Sequence, residues 1–466
     1  MIAASHQQPS RVLVIGAGVA GNAAAIRFVH HGHDVTMVER ATFPREKICG
    51  CCLGAAGLRA LDAIGLGDAV RDLGTPTHTF VAYMQTGKVD STSSSPLACA
   101  SPIRLPIAHG VAVSRSVLDT FLVDQAIQAG VRVWQPCEAQ VVSTDLDGVS
   151  VRYRNVPRDR ESEPASDTAR LSAGSSEQDA WRYTDEFDLV VVAAGLTGVY
   201  SGRNQRATKS HDAVGASTSR RWQLPWIESP HGPLGIAAHL AAADPLSQSW
   251  DLPRGEIQMV CGDEGYVGLV RLPNNDIDIA AALRSERQRR GGLVETLAID
   301  EPQSCSTTNR LARLLQSHPQ WTVTMNDRLV TWLHDRADLM TAPPLRRQRQ
   351  PGEGRVVAIG DCAGYVEPMT GEGMTWGIES GLAVADLWQE QSSRADFAAR
   401  WANKLQSLQP KRRILCGSVT RAMRSSVIRG AALSGLRFAP WLASPITRGL
   451  AAGPSFKPTR AFELAP

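Results

Sequence analysis

The chain has 466 residues, a formal net charge of +3, and 43% hydrophobic against 20% charged residues. That is the composition of a globular protein of two domains, or of one domain with insertions, and its charge is too small for a nucleic-acid footprint. No run nears the roughly 18 apolar residues that cross a bilayer, the start MIAASHQQPSR lacks a signal-peptide core, and nine cysteines are too few for a disulfide scaffold, so a cytoplasmic protein is expected.

RVLVI at 11–15 is short, apolar and rich in β-branched residues, the pattern of a buried parallel strand. GAGVAG then opens the helical NAAAIRFVHHG, and HDVTMVER reads as the next strand, completing a βαβ unit. Gly16, Gly18 and Gly21 form G-x-G-x-x-G, and Glu39 ends the second strand with Arg40 beside it. Each part has a task in dinucleotide binding. Gly16 permits the tight turn. Gly18 lets a pyrophosphate approach the helix N-terminus, where free N–H groups and the dipole favour anions. Glu39 accepts the ribose hydroxyls and disfavours a 2′-phosphate, which leaves NAD or FAD.

KICGCCLG follows, with Cys49, Cys51 and Cys52. Its plain reading is a tight loop of small buried thiols. No second Cys or His pair stands nearby at ligand spacing, so no metal is expected. Leucines at helical spacing predict a helix over 57–70, and the Ser/Pro-rich 86–102 predicts a loop. A helix is predicted within 114–130, capped by Ser114, with Leu118, Leu122 and Ala126 on one face and Gly130 at its end. VRVWQP and EAQVVSTDLDGVSVRYR read as strands. The polar stretch 155–180 is predicted to be a mobile excursion, and FDLVVVAAG (187–195) another buried strand. In EIQMVCGDEGYVGLVRLPNNDIDIAAAL, three apolar runs are separated by the turn sequences GDEG and PNND, which predicts an antiparallel meander. RVVAIGD returns to parallel-strand character, and the chain beyond about 372 is mostly helical.

The fold class predicted is α/β: a Rossmann-type FAD-binding domain with an inserted antiparallel substrate domain and a helical C-terminal tail. The FAD-binding domain is assigned to 10–75, 111–204 and 346–392, the substrate domain to 76–110 and 205–345, and the tail to 393–466.

DCAGYVEPMTGEGMTWG (361–377) decides between the two dinucleotides. Asp361 suits a ribitol hydroxyl. The N–H groups from Gly371 through Gly373 to Met374 suit the edge of a flavin ring where negative charge develops on reduction. Two such sites at opposite ends of the sequence suit an extended FAD.

Taken together, VLVIGAGVAGNAAAIRF…VTMVER, KICG, SRSVLDTFL…AGVRV, FDLVVVAAG and VVAIGDCAGYVEPMTGEGMTWGIESG resemble FAD-dependent monooxygenases of the para-hydroxybenzoate hydroxylase fold. Within that fold the chain looks closest to the branch of geranylgeranyl reductases and flavin-dependent halogenases. The resemblance covers about 10–390 and is weakest over 205–345. It implies that Arg115 also contacts FAD and that Val141 meets the adenine through its backbone. It places Cys49 at the substrate face of the flavin, where a thiol could give a proton, form an adduct or line the pocket. Arg45 and Lys47 are close enough in sequence to lower its pKa.

Three departures bear on the reaction. Ala194-Gly195 stands where hydroxylases of this fold carry Asp-Gly, against the usual route of NADPH reduction. GYVGLVRLP keeps Tyr266 and Pro273 of the reductases' Y-x-W-x-F-P strand but loses its tryptophan. The halogenases' W-x-W-x-I-P motif is missing. The expected function is oxygenation of a lipophilic or aromatic, polyketide-type molecule, with Cys49 and Tyr266 as candidate catalytic residues and NAD(P)H as the candidate external donor. The alternatives are reduction of an isoprenoid-like double bond and a non-catalytic flavin-binding partner protein. Residues 411–449 hold many arginines and no acid. They read as a packed helix with a basic face, or as a contact for a membrane surface or carrier protein.

Overall fold

The computed structural model describes residues 8–85, 102–145, 148–156, 180–196, 226–228, 232–284, 307–316, 318, 320, 323–335, 340–342, 347–365, 369–390, 394 and 396–459. Most of the polar stretch at 155–180 and of the Ser/Pro-rich stretch at 86–102 lies outside the described residues.

The first sheet has six strands in the spatial order Gly352–Glu353, Val356–Ala358, Leu189–Val192, Arg11–Ile15, Asp34–Val38 and Arg132–Trp134. All neighbours pair parallel except the first two. Its central strands are mostly apolar because both faces are covered. Val12, Val14, Val35 and Met37 face the helices Val19–His30, Arg115–Gln128 and Gly373–Gln389. Leu13, Ile15, Val38, Val190 and Val192 face a small antiparallel sheet of Cys137–Thr144, Val149–Asn155 and Arg182–Phe187.

The helices are placed by local chemistry. Ser114 Oγ accepts from Val117 N, the helix runs Arg115–Gln128, and Leu118, Leu122 and Ala126 are fully buried. The helices Val19–His30 and Gly373–Gln389 touch backbone to backbone. A Cβ at Gly381 would lie 2.5 Å from Ala20 O, so only glycine allows this approach. Arg27 Nε (2.7 Å) and His31 Nε2 (2.7 Å) then close the pair on Asp386. The single helix predicted over 57–70 is two, Ala55–Asp62 and Gly67–Leu73. Gly65 sits between them at φ +80°, a left-handed turn that helical leucine spacing does not reveal.

The second sheet has eight strands in the order Met340–Ala342, Leu234–Leu240, Ile277–Leu283, Gly265–Arg271, Glu256–Gly262, Thr75–Met84, Ile103–Ala112 and Cys52–Leu53. The run 256–283 is the antiparallel meander that its turn sequences predict. Alternation gives this sheet two different faces. Val260, Val267, Leu269, Ile277 and Ile279 pack against helices Thr307–Leu315 and Val323–Asp335. Met259, Cys261 and Tyr266 face the other way, toward Met369 and the tail residues Val419 and Met423.

Two buried histidines make this fold sensitive to acid. His33 and His318 are 7% and 2% exposed, and burial pushes both down to about 4. Both stay neutral in the folded state while the unfolded chain takes up protons below its ordinary value of about 6.5. Stability is therefore expected to fall as pH drops from about 6.5 to 4, and the loss to level off below that. Urea unfolding at a series of pH values measures this slope. His318→Asn should flatten it, and an unchanged slope would remove His318 from the account.

Candidate active site

The glycine loop is built as its motif requires. Gly16 has φ +107°, and a Cβ there would fall 2.6 Å from Ala193 O. Its N–H donates to Val38 O (2.8 Å), which ties the loop between two strands. A Cβ at Gly21 would strike Gly16 O, so the helix starts tight against the turn. Glu39 spans the loop's open side: Oε2 accepts from Ala17 N (2.8 Å) and Oε1 from Ala41 N (3.0 Å). Each oxygen keeps a lone pair for a ribose hydroxyl. Arg40 is exposed beside it.

Positive charge converges at the start of the first helix. No side chain caps this helix at Gly18, so its first N–H groups face outward. A Cβ at Gly18 would lie 3.5 Å from Arg115 Nη2, 3.7 Å from Lys47 Nζ and 3.8 Å from Arg45 Nη2. Arg115 is 4% exposed and held by both oxygens of Asp119, at 2.9 and 2.7 Å. Burial works against its charge, but Asp119 outweighs that and holds its pKa above the ordinary value. Arg45 also faces Asp119, at 3.5 Å. An uncapped helix end ringed by three cations is the donor set of a pyrophosphate site, so the residues fit FAD. Lys47 and Arg45 were legible in R-x-K before the Cys loop, but sequence reasoning used them only as neighbours of Cys49.

Lys47 links this cluster to the far end of the chain. Burial lowers its pKa, with Arg115 acting in the same sense. Burial raises that of Asp361, with Lys47 and Arg115 opposing. A Cβ at Gly195 would fall 2.9 Å from Lys47 Nζ, so glycine at this position leaves the lysine its place. Val141 is buried in the strand Cys137–Thr144, whose ladder slips between Val141 and Ser143 and frees the local backbone from strict pairing.

Gly371 (φ +73°) lies against Cys52, and Gly373 against Tyr365. Tyr266, Ile48, Leu196 and Tyr365 all pack against the buried pair Ala282 and Ala342. The Cys49 loop, the Asp361–Gly371 turn and the meander strand thus meet. The same region opens into a small cleft lined by Cys261, Tyr266, Met369, Thr420, Met423 and Arg424. The structure corrects one expectation about Cys49. Its pKa is lowered to about 7 first by a hydrogen bond with the Cys51 thiol, against burial, and then by Arg115. The cation with the largest effect is Arg115, 66 residues away in sequence.

The basic tail also reads differently. Arg412 is 5% exposed and bridges Glu379 (2.7 Å) and Glu372, while Arg429 is fully buried on Asp263 and Gln85 O. Burial raises Glu379 to about 7, with Arg412 pulling the other way. The tail's acids are supplied by the turn at Glu372, the helix Gly373–Gln389 and the hairpin at Asp263, so composition within 411–449 could not show the pairing.

The FAD binding domain family matches residues 10–167. The chain is an FAD-dependent oxidoreductase with the para-hydroxybenzoate hydroxylase fold. It is 26% identical over 408 residues to a menaquinone reductase of Mycobacterium tuberculosis, covering 84% of this chain and 79% of that one. Kynurenine 3-monooxygenase of Salinispora arenicola is 35% identical over only 91 residues, 18% of this chain and 20% of its own. The FAD complex of a variant of Klebsiella pneumoniae HpxO superposes with a TM-score of 0.60 at 14% identity, covering 96% of this chain and 99% of that one. That likeness is one of fold.

A charge-assisted hydrogen bond contributes about 1.5–3 kcal/mol. Glu39→Ala and Lys47→Ala should therefore each weaken FAD binding by about tenfold or more, measured by FAD titration with the far-UV spectrum unchanged. A colourless protein that takes up NAD instead would sink the assignment.

Proposed function

We propose that this enzyme oxygenates a lipophilic phenol of polyketide type, with NAD(P)H as external electron donor. The observation that carries the reading is the character of the cleft wall. Cys261, Met369 and Met423 make it apolar and adaptable, with Met259 packed behind them. Among the residues lining the cleft there is no carboxylate or imidazole, and the charged ones are Arg284 and Arg424. Such a wall suits an alkyl-bearing ring whose phenolate oxygen is drawn to the arginines. Bound FAD supplies the redox chemistry and the activation of O₂. The chain's part is to hold it through Glu39, Arg45, Lys47, Arg115 and Asp361, to stack the substrate against Tyr266, and to keep water out.

A second reading is favoured by a separate observation. The relatives that match most of this chain are named menaquinone reductases, and Cys49 is a thiol of pKa about 7 beside Arg115. That pair suits reduction of a carbon–carbon double bond in a polyprenyl-like chain, with Cys49 giving the proton. The two readings separate cleanly. Oxygenation requires an atom from labelled O₂ in the product and little loss in Cys49→Ser. Reduction requires turnover under strict anaerobiosis and a loss of roughly 10²–10⁴-fold in Cys49→Ser. Product mass spectra with labelled O₂ decide between them.

A lipophilic substrate also gives a role to the tail. Helices Pro410–Met423, Ser426–Phe438 and Ser444–Ala451 and the short turn Pro440–Ala443 expose Ile414, Val427, Phe438, Trp441 and Leu442, with Lys411, Arg421, Arg437 and Arg448 among them. No acid occurs between 411 and 449. No helix among the described residues is long and apolar enough to span a membrane. We infer that this face rests on an anionic lipid surface, its aromatic side chains in the headgroup layer, as a peripheral protein of the cytoplasm. The protein should then co-sediment with phosphatidylserine vesicles at low salt and be released by high salt. Phe438→Ser with Trp441→Ser should abolish sedimentation and leave FAD bound, and no sedimentation of the parent protein would overturn the contact.

A further inference from the structure

Three ligating groups from distant parts of the chain meet on the substrate sheet beside the Cys49 loop. His239 and Asp278 are direct cross-strand partners in the strands Leu234–Leu240 and Ile277–Leu283. Cys51 comes down on them from the loop. Cys51 Sγ is 3.9 Å and Asp278 Oδ1 2.8 Å from the same atom, His239 Nε2, and the three ligand atoms lie within 4.8 Å of one another. Cys51 and Asp278 are each 1% exposed. Asp278 Oδ1 is buried and meets the His239 ring at 2.8 Å.

Here sulfur and carboxylate both converge on Nε2, while Nδ1 faces Glu46 Oε2 at 3.8 Å. That is the plan of a metal-bound histidine: one nitrogen joins the other ligands and the second is held by an outer carboxylate. Bonds of 2.0–2.3 Å at tetrahedral angles put ligand atoms about 3.2–3.8 Å apart, so the cluster closes on an ion with small side-chain shifts.

We propose that Cys51, His239 and Asp278 bind one Zn²⁺, with water as the fourth ligand. The mixed S, N and O donor set suits zinc among the common divalent ions. Binding forms the Cys51 Sγ–Zn bond and breaks the S–H bond, the proton leaving to solvent. His239 binds as the neutral ring and Asp278 as the carboxylate. The ion would pin the loop that carries Lys47 and Cys49 onto the substrate sheet. It also divides the Cys-x-Cys pair, leaving Cys51 to the metal and Cys49 to the flavin side. The expectation of no metal rested on spacing along the sequence. The other two ligands come from residues 188 and 227 positions beyond Cys51.

The test uses the untagged full-length FAD-bound protein grown with zinc. Elemental analysis should find about one zinc per chain. Exchange for Co²⁺ should give the intense visible bands and thiolate charge-transfer band of a tetrahedral site with one sulfur ligand. Cys51→Ser, His239→Ala and Asp278→Asn should each lose the zinc and the cobalt spectrum. Cys49→Ser should keep both, and flavin absorbance reports that each variant is folded. Protein that carries no zinc and takes up none on addition would overturn the proposal. So would zinc retained in both Cys51→Ser and His239→Ala with flavin intact.

Discussion

The start of the first helix is the constraint on which the site depends. Its N-terminus is uncapped, and Arg45, Lys47 and Arg115 are gathered within 4 Å of where a Cβ at Gly18 would stand. Holding three cations there requires partners, and the fold supplies them from separate places. Asp119 grips Arg115 one turn along its own helix, Glu39 closes the glycine loop from the next strand, and Asp361 stands near Lys47 from the other end of the chain. A bound pyrophosphate would complete this balance. The absence of a side chain at Gly18 keeps the space for it, and that at Gly195 leaves room for Lys47.

The same economy joins the two sheets. The loop at 46–53 begins beside the cations at the first helix and ends as an edge strand of the eight-stranded sheet, Cys52–Leu53 pairing with Val111–Ala112. The two sheets are therefore joined here by one continuous piece of chain. Cys49 feels Arg115 on one side and Cys51 on the other, while Cys51 reaches toward His239 and Asp278. Tyr266 packs where this loop, Leu196 and Tyr365 converge. A movement of the loop would be felt by the flavin side and the cleft together.

The tail is the third component. Arg412 is taken out of water between Glu372 and Glu379, a geometry in which removing one partner is far costlier than the pair is worth. This bridge fixes the tail under the Gly371 turn, and Met423 of the same helix lines the cleft. The apolar and basic residues left outside are then presented on a body fixed to the site.

By itself the sequence determined the α/β fold, the FAD fingerprint and the elements that carry it. Those signals are local. A buried parallel strand must be apolar throughout, a tight turn needs glycine, and Ser114 caps the helix three residues from the amide it binds. It also made Cys49 and Tyr266 visible, through frames that span a few residues. Only the tertiary structure decided which charges meet. Arg115 acts on Cys49 from 66 residues away, Arg412 and Arg429 find acids outside the acid-free tail, and His239 and Asp278 come to Cys51 from strands far along the chain. The physical reason is the same in each case. Hydrogen bonds and packing within a segment leave a periodic trace in the chain, whereas electrostatic and ligand contacts depend on distance in space, which sequence separation does not measure.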